Sequence, residues 1–428
     1  MDILSADWVV PVTAPPIAGG AVAVAGGRVV WVGSRGAPGM PEGTPRDLGA
    51  GILLPGLVNA HCHLELSYLR GLWRETQGFV SWVSSLIARR TESDAERVRV
   101  AVSEALREAE CTGTGVMGDI TNRAEHVDLL GASGLRGVVL LEIVSWDPAR
   151  SASTLAEWRS RREEVASAAA ACGASWQVRL AAHAPHSVSA PVLRALAEGG
   201  DLASMHVAES PEEAAFVRKG GGAWQAFLDE RGLGHVVWTG AHGSVIAYLD
   251  SLGALAQGMM AVHCVQVSAA DASVMARRGV HPVLCPRSNR NLGVGQAPLP
   301  TLLEAGLSPA LGTDSLASVA DLDLCAEMAL LRETFPEVSG TTLLEMATIN
   351  GARALGLEDH GAIAVGDPAV LAFAPTEGRV PDPVEALVCG QVRPRLLASY
   401  SRCPLHVGNT TRPIFAGCPV PSQYKELL

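Results

Sequence analysis

His61-Cys62-His63 closes an apolar run from Ile52 to Ala60. Residues two apart in a β-strand project from the same face, so both imidazoles leave one side of one strand end. Two neutral imidazoles at that spacing form a rigid half-site for a divalent metal. The pair alone carries little weight. With 12 histidines in 428 residues, a His-x-His is expected roughly 0.3 times by chance. Its partners downstream decide the matter.

Metal-capable residues recur where other apolar runs end: His206 after Leu202–Met205, His263 after Met259–Val262, and Asp314 after Ser308–Thr313. Any one such histidine, taken alone, reads better as a satisfied core residue. Four strands delivering such groups to one rim is a different proposition, because barrel enzymes gather their chemistry at strand C-terminal ends. The candidate ligands are His61, His63, His206 and Asp314, with a water completing the set. Three imidazoles and a carboxylate suit one Zn²⁺, and ligand type leaves Fe²⁺ or Mn²⁺ open. Bound water would ionise near neutral pH and provide a nucleophile. Glu209, three residues after His206, is placed to carry protons between water and substrate. The competing reading is a solvated carboxylate beside Ser210-Pro211-Glu212-Glu213. His263 would orient the water or hold a developing oxyanion.

These groups need elements to position them. Eight apolar runs alternate with helix-like stretches: 52–60, 116–120, 137–142, 177–183, 202–206, 259–263, 280–285 and 308–314. That alternation predicts an α/β protein, a (β/α)8 TIM-type barrel. Helices are expected over Ser93–Ala109 and Ala190–Ala197. The ends read differently. Ala21–Gly33 predicts a hairpin around Gly26-Gly27, and Gly361–Phe373 predicts short strands about a Gly-Asp-Pro turn. A small composite β-sandwich built from 1–55 plus 359–428 is therefore expected beside a catalytic barrel of 56–358.

Composition narrows the function. The net charge of -11, without a basic stretch, argues against a nucleic-acid polymer as partner. No signal peptide or uncharged apolar span stands out, so no membrane role is expected. Nine scattered cysteines without a Cys-x-x-Cys suit reduced thiols in a cytoplasm. Trp73, Phe79 and Trp82, after the first run, could stack on an aromatic ring but read better as core beneath a loop.

At Pro55–His63, Pro185-His186-Ser187, His206–Glu209, Val262-His263-Cys264, Cys285-Pro286-Arg287-Ser288-Asn289 and Leu311–Ser315, the chain resembles the amidohydrolase superfamily, in its aminohydrolase branch. The resemblance covers nearly the whole chain. It implies one zinc on His61, His63, His206 and Asp314, with Glu209 relaying a proton to a ring nitrogen. Asp314 and His263 would take the water's proton. His186 would contact the nucleoside, with Arg287, Ser288 and Asn289 also at the substrate. Two-metal relatives bridge their ions with a modified lysine after the fourth strand. Here that position reads His183-Ala184-Pro185-His186, and only Lys219 and Lys425 occur in the chain, so one metal is expected. Leu4–Val12, Gly118-Asp119-Ile120 and His61–Ser67 are similar to the aminodeoxyfutalosine deaminases of menaquinone biosynthesis. The substrate implied is a small 6-aminopurine nucleoside derivative. Methylthioadenosine, adenosylhomocysteine or adenosine is the alternative, as is dechlorination of a triazine. A benzoate-bearing substrate would call for a cation, for which Arg70, Arg74 and Arg287 are candidates. A homodimer would be in keeping with the family.

Overall fold

The computed structural model describes residues 1–75, 78–91, 94–173, 175–233, 242–378 and 380–397. Cys403, Cys418 and the rest of the expected C-terminal stretch lie outside them. Eight parallel strands organise the middle of the chain: β1 (Leu57–Cys62), β2 (Thr114–Thr121), β3 (Arg136–Ile143), β4 (Trp176–Ala182), β5 (Ser204–Val207), β6 (Met260–His263), β7 (His281–Leu284) and β8 (Ala310–Leu311). They pair in sequence order as two four-stranded sheets, β1 to β4 and β5 to β8. Single parallel bridges, Leu180↔Leu202 and Cys62↔Asp314, connect the two sheets at both edges.

The strand sequences explain why both faces are covered. Every residue of β1 and β2 is buried, as expected of parallel strands flanked by helices. Alternate residues separate cleanly. Val58, Ala60, Val116, Ile120, Val138, Leu140, Met260, Val262, Val283 and Ala310 pack with one another in one cluster. Their neighbours Leu57, Met117, Val139, Leu141, Ala261 and Leu311 join the main core, which also takes in helical residues such as Leu106, Leu196 and Met275. Burying two faces instead of one is what makes these runs read as nearly continuous apolar sequence.

The expected first run, 52–60, is two strands. Gly51–Pro55 pairs antiparallel with Leu371–Pro375, and β1 begins only at Leu57. Proline lacks the N–H a continued ladder would need. Gly56 then allows β1 and β2 to close up, since a Cβ there would lie 2.9 Å from the Gly115 Cα. Gly51–Pro55 belongs to a sheet ordered Arg395–Leu396, Leu371–Pro375, Gly51–Pro55, Trp8–Val9, Ile17–Ala18. That sheet joins the two ends of the chain. A second terminal sheet holds Asp2–Ser5, Gly20–Ala25, Arg28–Ser34 and Thr44–Asp47, with the hairpin at Gly26-Gly27 as expected. Around Gly366-Asp367-Pro368 the chain forms a turn and a bridge to Arg28, and only Leu371–Pro375 becomes a strand. The expected helices run over Ala95–Cys111 and Ala190–Glu198. Among the described residues no helix is long and apolar enough to cross a membrane. Among the described residues six cysteines are free thiols; Cys111 departs from the reduced-thiol expectation, being disulfide-bonded.

Candidate active site

β1 and β8 are fastened together beneath the metal-capable residues. The Asn59 amide donates to Thr313 Oγ1 at 2.8 Å and accepts the Thr313 N–H at 3.1 Å, both buried. The Asp314 N–H donates to the His61 carbonyl at 3.1 Å. Gly312 permits this approach: a Cβ there would meet His61 Cβ at 2.7 Å. Asn59 and Thr313 therefore set the register between the His-x-His strand and the aspartate, a role that spacing alone does not reveal.

Above this junction His61, His63, His206, His263 and Asp314 converge. His63 Nε2 lies 3.5 Å and His61 Nε2 3.8 Å from Asp314 Oδ1. The ligand-capable atoms of His61, His63 and Asp314 fall within 4.8 Å of one another, as do those of His61, His206 and His263. Both ring nitrogens of His61 are buried without a hydrogen-bond partner among the described residues. An orphaned, buried imidazole demands an explanation, and a divalent ion supplies one. The protonation states agree. Burial lowers the pKa of His61, pushes that of His63 down to about 3, and lowers that of His263 well below the usual range. Neutral imidazoles are the form that binds metal. Burial by itself would raise the Asp314 carboxyl, but the neighbouring His61, His63 and His263 imidazoles hold it well below its ordinary value.

Surrounding groups aim these ligands. His206 Nδ1 donates to the His183 carbonyl at 2.8 Å, which leaves Nε2 as the free electron pair. Behind it, Glu142 Oε1 sits 3.5 Å from the same Nδ1. Burial opposes ionisation of Glu142, yet His183, His206, His63 and Arg90 together draw its carboxyl down to about 2. Asp314 Oδ2 accepts two hydroxyls, Ser288 at 2.6 Å and Ser318 at 2.9 Å, so Oδ1 is the oxygen left facing the histidines. Asp119, at the end of β2, accepts the Leu64 N–H at 3.0 Å and pairs with buried His126 at 2.7 Å, fixing the backbone directly after His63. Glu65 takes Thr121 Oγ1, Arg90 and the amides of Asn122 and Arg123.

Glu209 and His263 lie over the ligand group. His263 Nδ1 bonds Asn289 Oδ1 at 2.9 Å, leaving Nε2 at 3.5 Å from Glu209 Oε1. Burial, with the charges of Asp314 and Glu213 adding to it, raises the Glu209 carboxyl well above its ordinary value. A carboxyl whose pKa is raised by burial is better suited to donate a proton. The backbone carries strain here. Of six non-glycine residues with positive φ, four are Ala208 (+52°), His263 (+72°), Cys264 (+51°) and Asp314 (+61°). Each costs about 1–2 kcal/mol, and such residues cluster where function over-determines the geometry.

The substrate-side residues divide. The His186 side chain is 7% exposed, its ring 4.1 Å from Trp224, and among the described residues neither nitrogen has a hydrogen-bond partner. Asn289 Nδ2 is likewise buried and unpartnered, while its oxygen holds His263. Ser288 is occupied by Asp314. The Arg287 guanidinium bonds Asp321 at 2.6 Å and approaches Glu327 at 3.8 Å. Arg70 pairs with Glu108 at 2.6 Å, and Arg74 lies over the Trp73 ring. Phe79, Trp82, Trp224, Phe227, Leu66 and Val265 form an aromatic-rich cluster, with Trp73 against it. Phe79 and Trp82 are thus packed core, as the sequence suggested.

The comparisons with known proteins point the same way. An aminodeoxyfutalosine deaminase of Deinococcus radiodurans is 30% identical over 336 residues, covering 74% of this chain and 76% of that protein. A 5-methylthioadenosine/S-adenosylhomocysteine deaminase of Moorella thermoacetica is 30% identical over 376 residues, covering 82% and 79%. Among solved structures, an adenosine deaminase from Xanthomonas campestris with bound zinc superposes with a TM-score of 0.73 at 25% identity, covering 93% of each chain. The pattern of the amidohydrolase family matches residues 52–390, from just before the His-x-His strand to beyond the aspartate that faces it. With a match of that extent enclosing the whole ligand cluster, the chain belongs to the amidohydrolase family.

Proposed function

We propose that this chain is a metal-dependent hydrolytic deaminase of a 6-aminopurine nucleoside derivative, aminodeoxyfutalosine first among them, acting in the cytoplasm. We read its two bridged parallel sheets as one closed (β/α)8 barrel of residues 56–358, and the terminal sheets as a composite β-sandwich domain of 1–55 and 359–428. The observation that carries the chemistry is the convergence of His61, His63, His206 and Asp314 beside Glu209 and His263. The relatives named above supply the substrate class.

A divalent ion on those four ligands, Zn²⁺ best suited by three imidazoles and a carboxylate, would provide Lewis acidity and lower the pKa of a water. The chain's own groups do the rest. Glu209 donates its proton to the ring nitrogen beside the amino-bearing carbon, which makes that carbon electrophilic. Water adds there, and Asp314 Oδ1, its partner oxygen held by Ser288 and Ser318, takes a water proton. His263, its Nδ1–H held by Asn289, accepts a hydrogen bond from the attacking water through Nε2 and so orients it. The proton on Asp314 passes to the amine, the C–N bond breaks, the hydroxyl proton of the adduct returns to Glu209, and the products are ammonia and a 6-oxopurine.

A second reading, a nucleoside with a neutral 5′ substituent such as methylthioadenosine, is favoured by the internal pairing of Arg70 and Arg287. Ammonia release from aminodeoxyfutalosine, methylthioadenosine, adenosylhomocysteine and adenosine, compared by kcat/KM, tests both. Aminodeoxyfutalosine should lead. Methylthioadenosine leading would favour the second reading, and no ammonia from any of the four would end both.

A further inference from the structure

Glu213 stands in the first turn of the helix Pro211–Lys219, seven residues after His206, and is 1% exposed. Ser210 caps that helix by accepting the Glu213 N–H at 3.1 Å. The Glu213 carboxylate reaches back, and its Oε2 accepts the Glu209 N–H at 2.7 Å. Burial pushes the Glu213 carboxyl up to about 7, and the backbone of Glu209, Ala208 and Ser210 opposes that rise. Ala208 has φ of +52°, unfavourable for any residue with a Cβ. That kink turns the chain after β5 and brings Glu209 to within 3.5 Å of His263. The Glu209 amide, bound to this carboxylate, fixes the chain directly after the kink.

The other oxygen has a different neighbour. Among the described residues Glu213 Oε1 is buried without a hydrogen-bond partner, and it lies 4.0 Å from His186 Nδ1. Neither His186 nitrogen has a hydrogen-bond partner among those residues. A helix-capping glutamate with no further duty would leave this oxygen in water. Here it faces the imidazole on the nucleoside side.

We infer that Glu213 is a positioning residue that couples the two halves of the reaction site, setting Glu209 through Oε2 and His186 through Oε1. A carboxylate suits both duties because it only accepts hydrogen bonds and has about four lone-pair sites. With Nδ1–H turned to Glu213, His186 presents Nε2 as an acceptor to the substrate. The coupling rests on the deaminase reading, whereas the brace on Glu209 does not.

The test uses the full-length, metal-loaded protein with Glu213→Gln, Glu213→Ala and Glu209→Gln. Glutamine keeps an oxygen for the Glu209 amide but offers His186 a donor. Glu213→Gln should therefore hold kcat within about threefold and raise nucleoside KM about tenfold. Glu213→Ala should lower kcat about a hundredfold and speed amide exchange in the peptide 207–212. Combined with Glu209→Gln, it should cost less than about threefold more, since it acts through that residue. Equal losses of melting temperature in both single variants without a KM-against-kcat split would overturn the proposal. Unchanged exchange at 207–212, or full additivity with Glu209→Gln, would do the same. The exchange measurement needs no turnover, so it judges the brace even if no nucleoside is deaminated.

Discussion

The ligand side and the substrate side of this site are finished to different degrees. Around Asp314 nearly every polar atom has a partner: two serines on Oδ2, and Asn59 and Thr313 exchanging bonds underneath. The His61 nitrogens stand out as unsatisfied there. Across the site, both nitrogens of His186, Glu213 Oε1, Asn289 Nδ2 and Trp224 Nε1 are buried without partners among the described residues. Unpaired buried polar groups cost free energy, so proteins retain few of them. The ligand side is built for one small ion and the substrate side for a polar guest.

The largest effect should come from removing the groups that wait for the ion. His61→Ala should lose bound metal and lower kcat/KM by at least about 10⁴-fold, with metal counted by elemental analysis. Full metal occupancy in that variant would break the distinction between the two sides. Glu209→Gln belongs to neither side alone. It should keep its metal and lose turnover about a thousandfold, measured as initial rates of ammonia release. Near-normal turnover would remove Glu209 from the mechanism.

How much of this was legible follows the same division. His61, His63, His206, His263 and Asp314 announced themselves because each ends an apolar run, and a strand end is a position that sequence pattern locates well. Strand order was legible for the same reason. The break at Pro55-Gly56 was hidden inside one apolar run, since two strands of different sheets share the same composition. Ser318, Asn59, Asp119 and Glu142 were not legible as site residues. Their roles depend on contacts between segments as far as 254 residues apart, as for Asn59 and Thr313. Arg287 was singled out by its motif, but its partner Asp321 lies 34 residues on, and no spacing rule discloses that pairing.

Smaller effects should separate support from contact. Asp119→Asn deprives buried His126 of its charge partner and loosens the amide after His63. It should cost about 3 kcal/mol of stability. Burial opposes protonation of His126, but Asp119 by charge and hydrogen bond raises its pKa above the ordinary 6.5. The contribution is therefore complete below pH 6.5 and is lost as pH rises through the higher folded-state value. Thermal melts of both proteins from pH 5.5 to 9 should converge as pH increases; a constant gap would assign the loss to the Leu64 contact instead. Ser288→Ala should weaken metal affinity about tenfold to a hundredfold while leaving nucleoside KM unchanged. A KM effect with normal affinity would move Ser288 to the substrate side.

The smallest expected effect is also the sharpest test of where the substrate side ends. Arg287 carries the right chemistry to clamp a carboxylate, but its guanidinium is already engaged by Asp321 at 2.6 Å and neighbours Glu327 at 3.8 Å. Burial opposes its charge, and the surrounding carboxylates overcome that and raise its pKa further. An arginine so held would have to give up one ion pair to make another, and the exchange gains little. Arg287→Ala should thus lower stability without altering preference. The ratio of kcat/KM for a carboxylate-bearing nucleoside to that for methylthioadenosine should stay within about threefold, under 1 kcal/mol. If the ratio falls tenfold or more against the carboxylate, Arg287 releases Asp321 on binding. The boundary between the two halves would then run through this guanidinium, and the benzoate-bearing substrate would gain its cation.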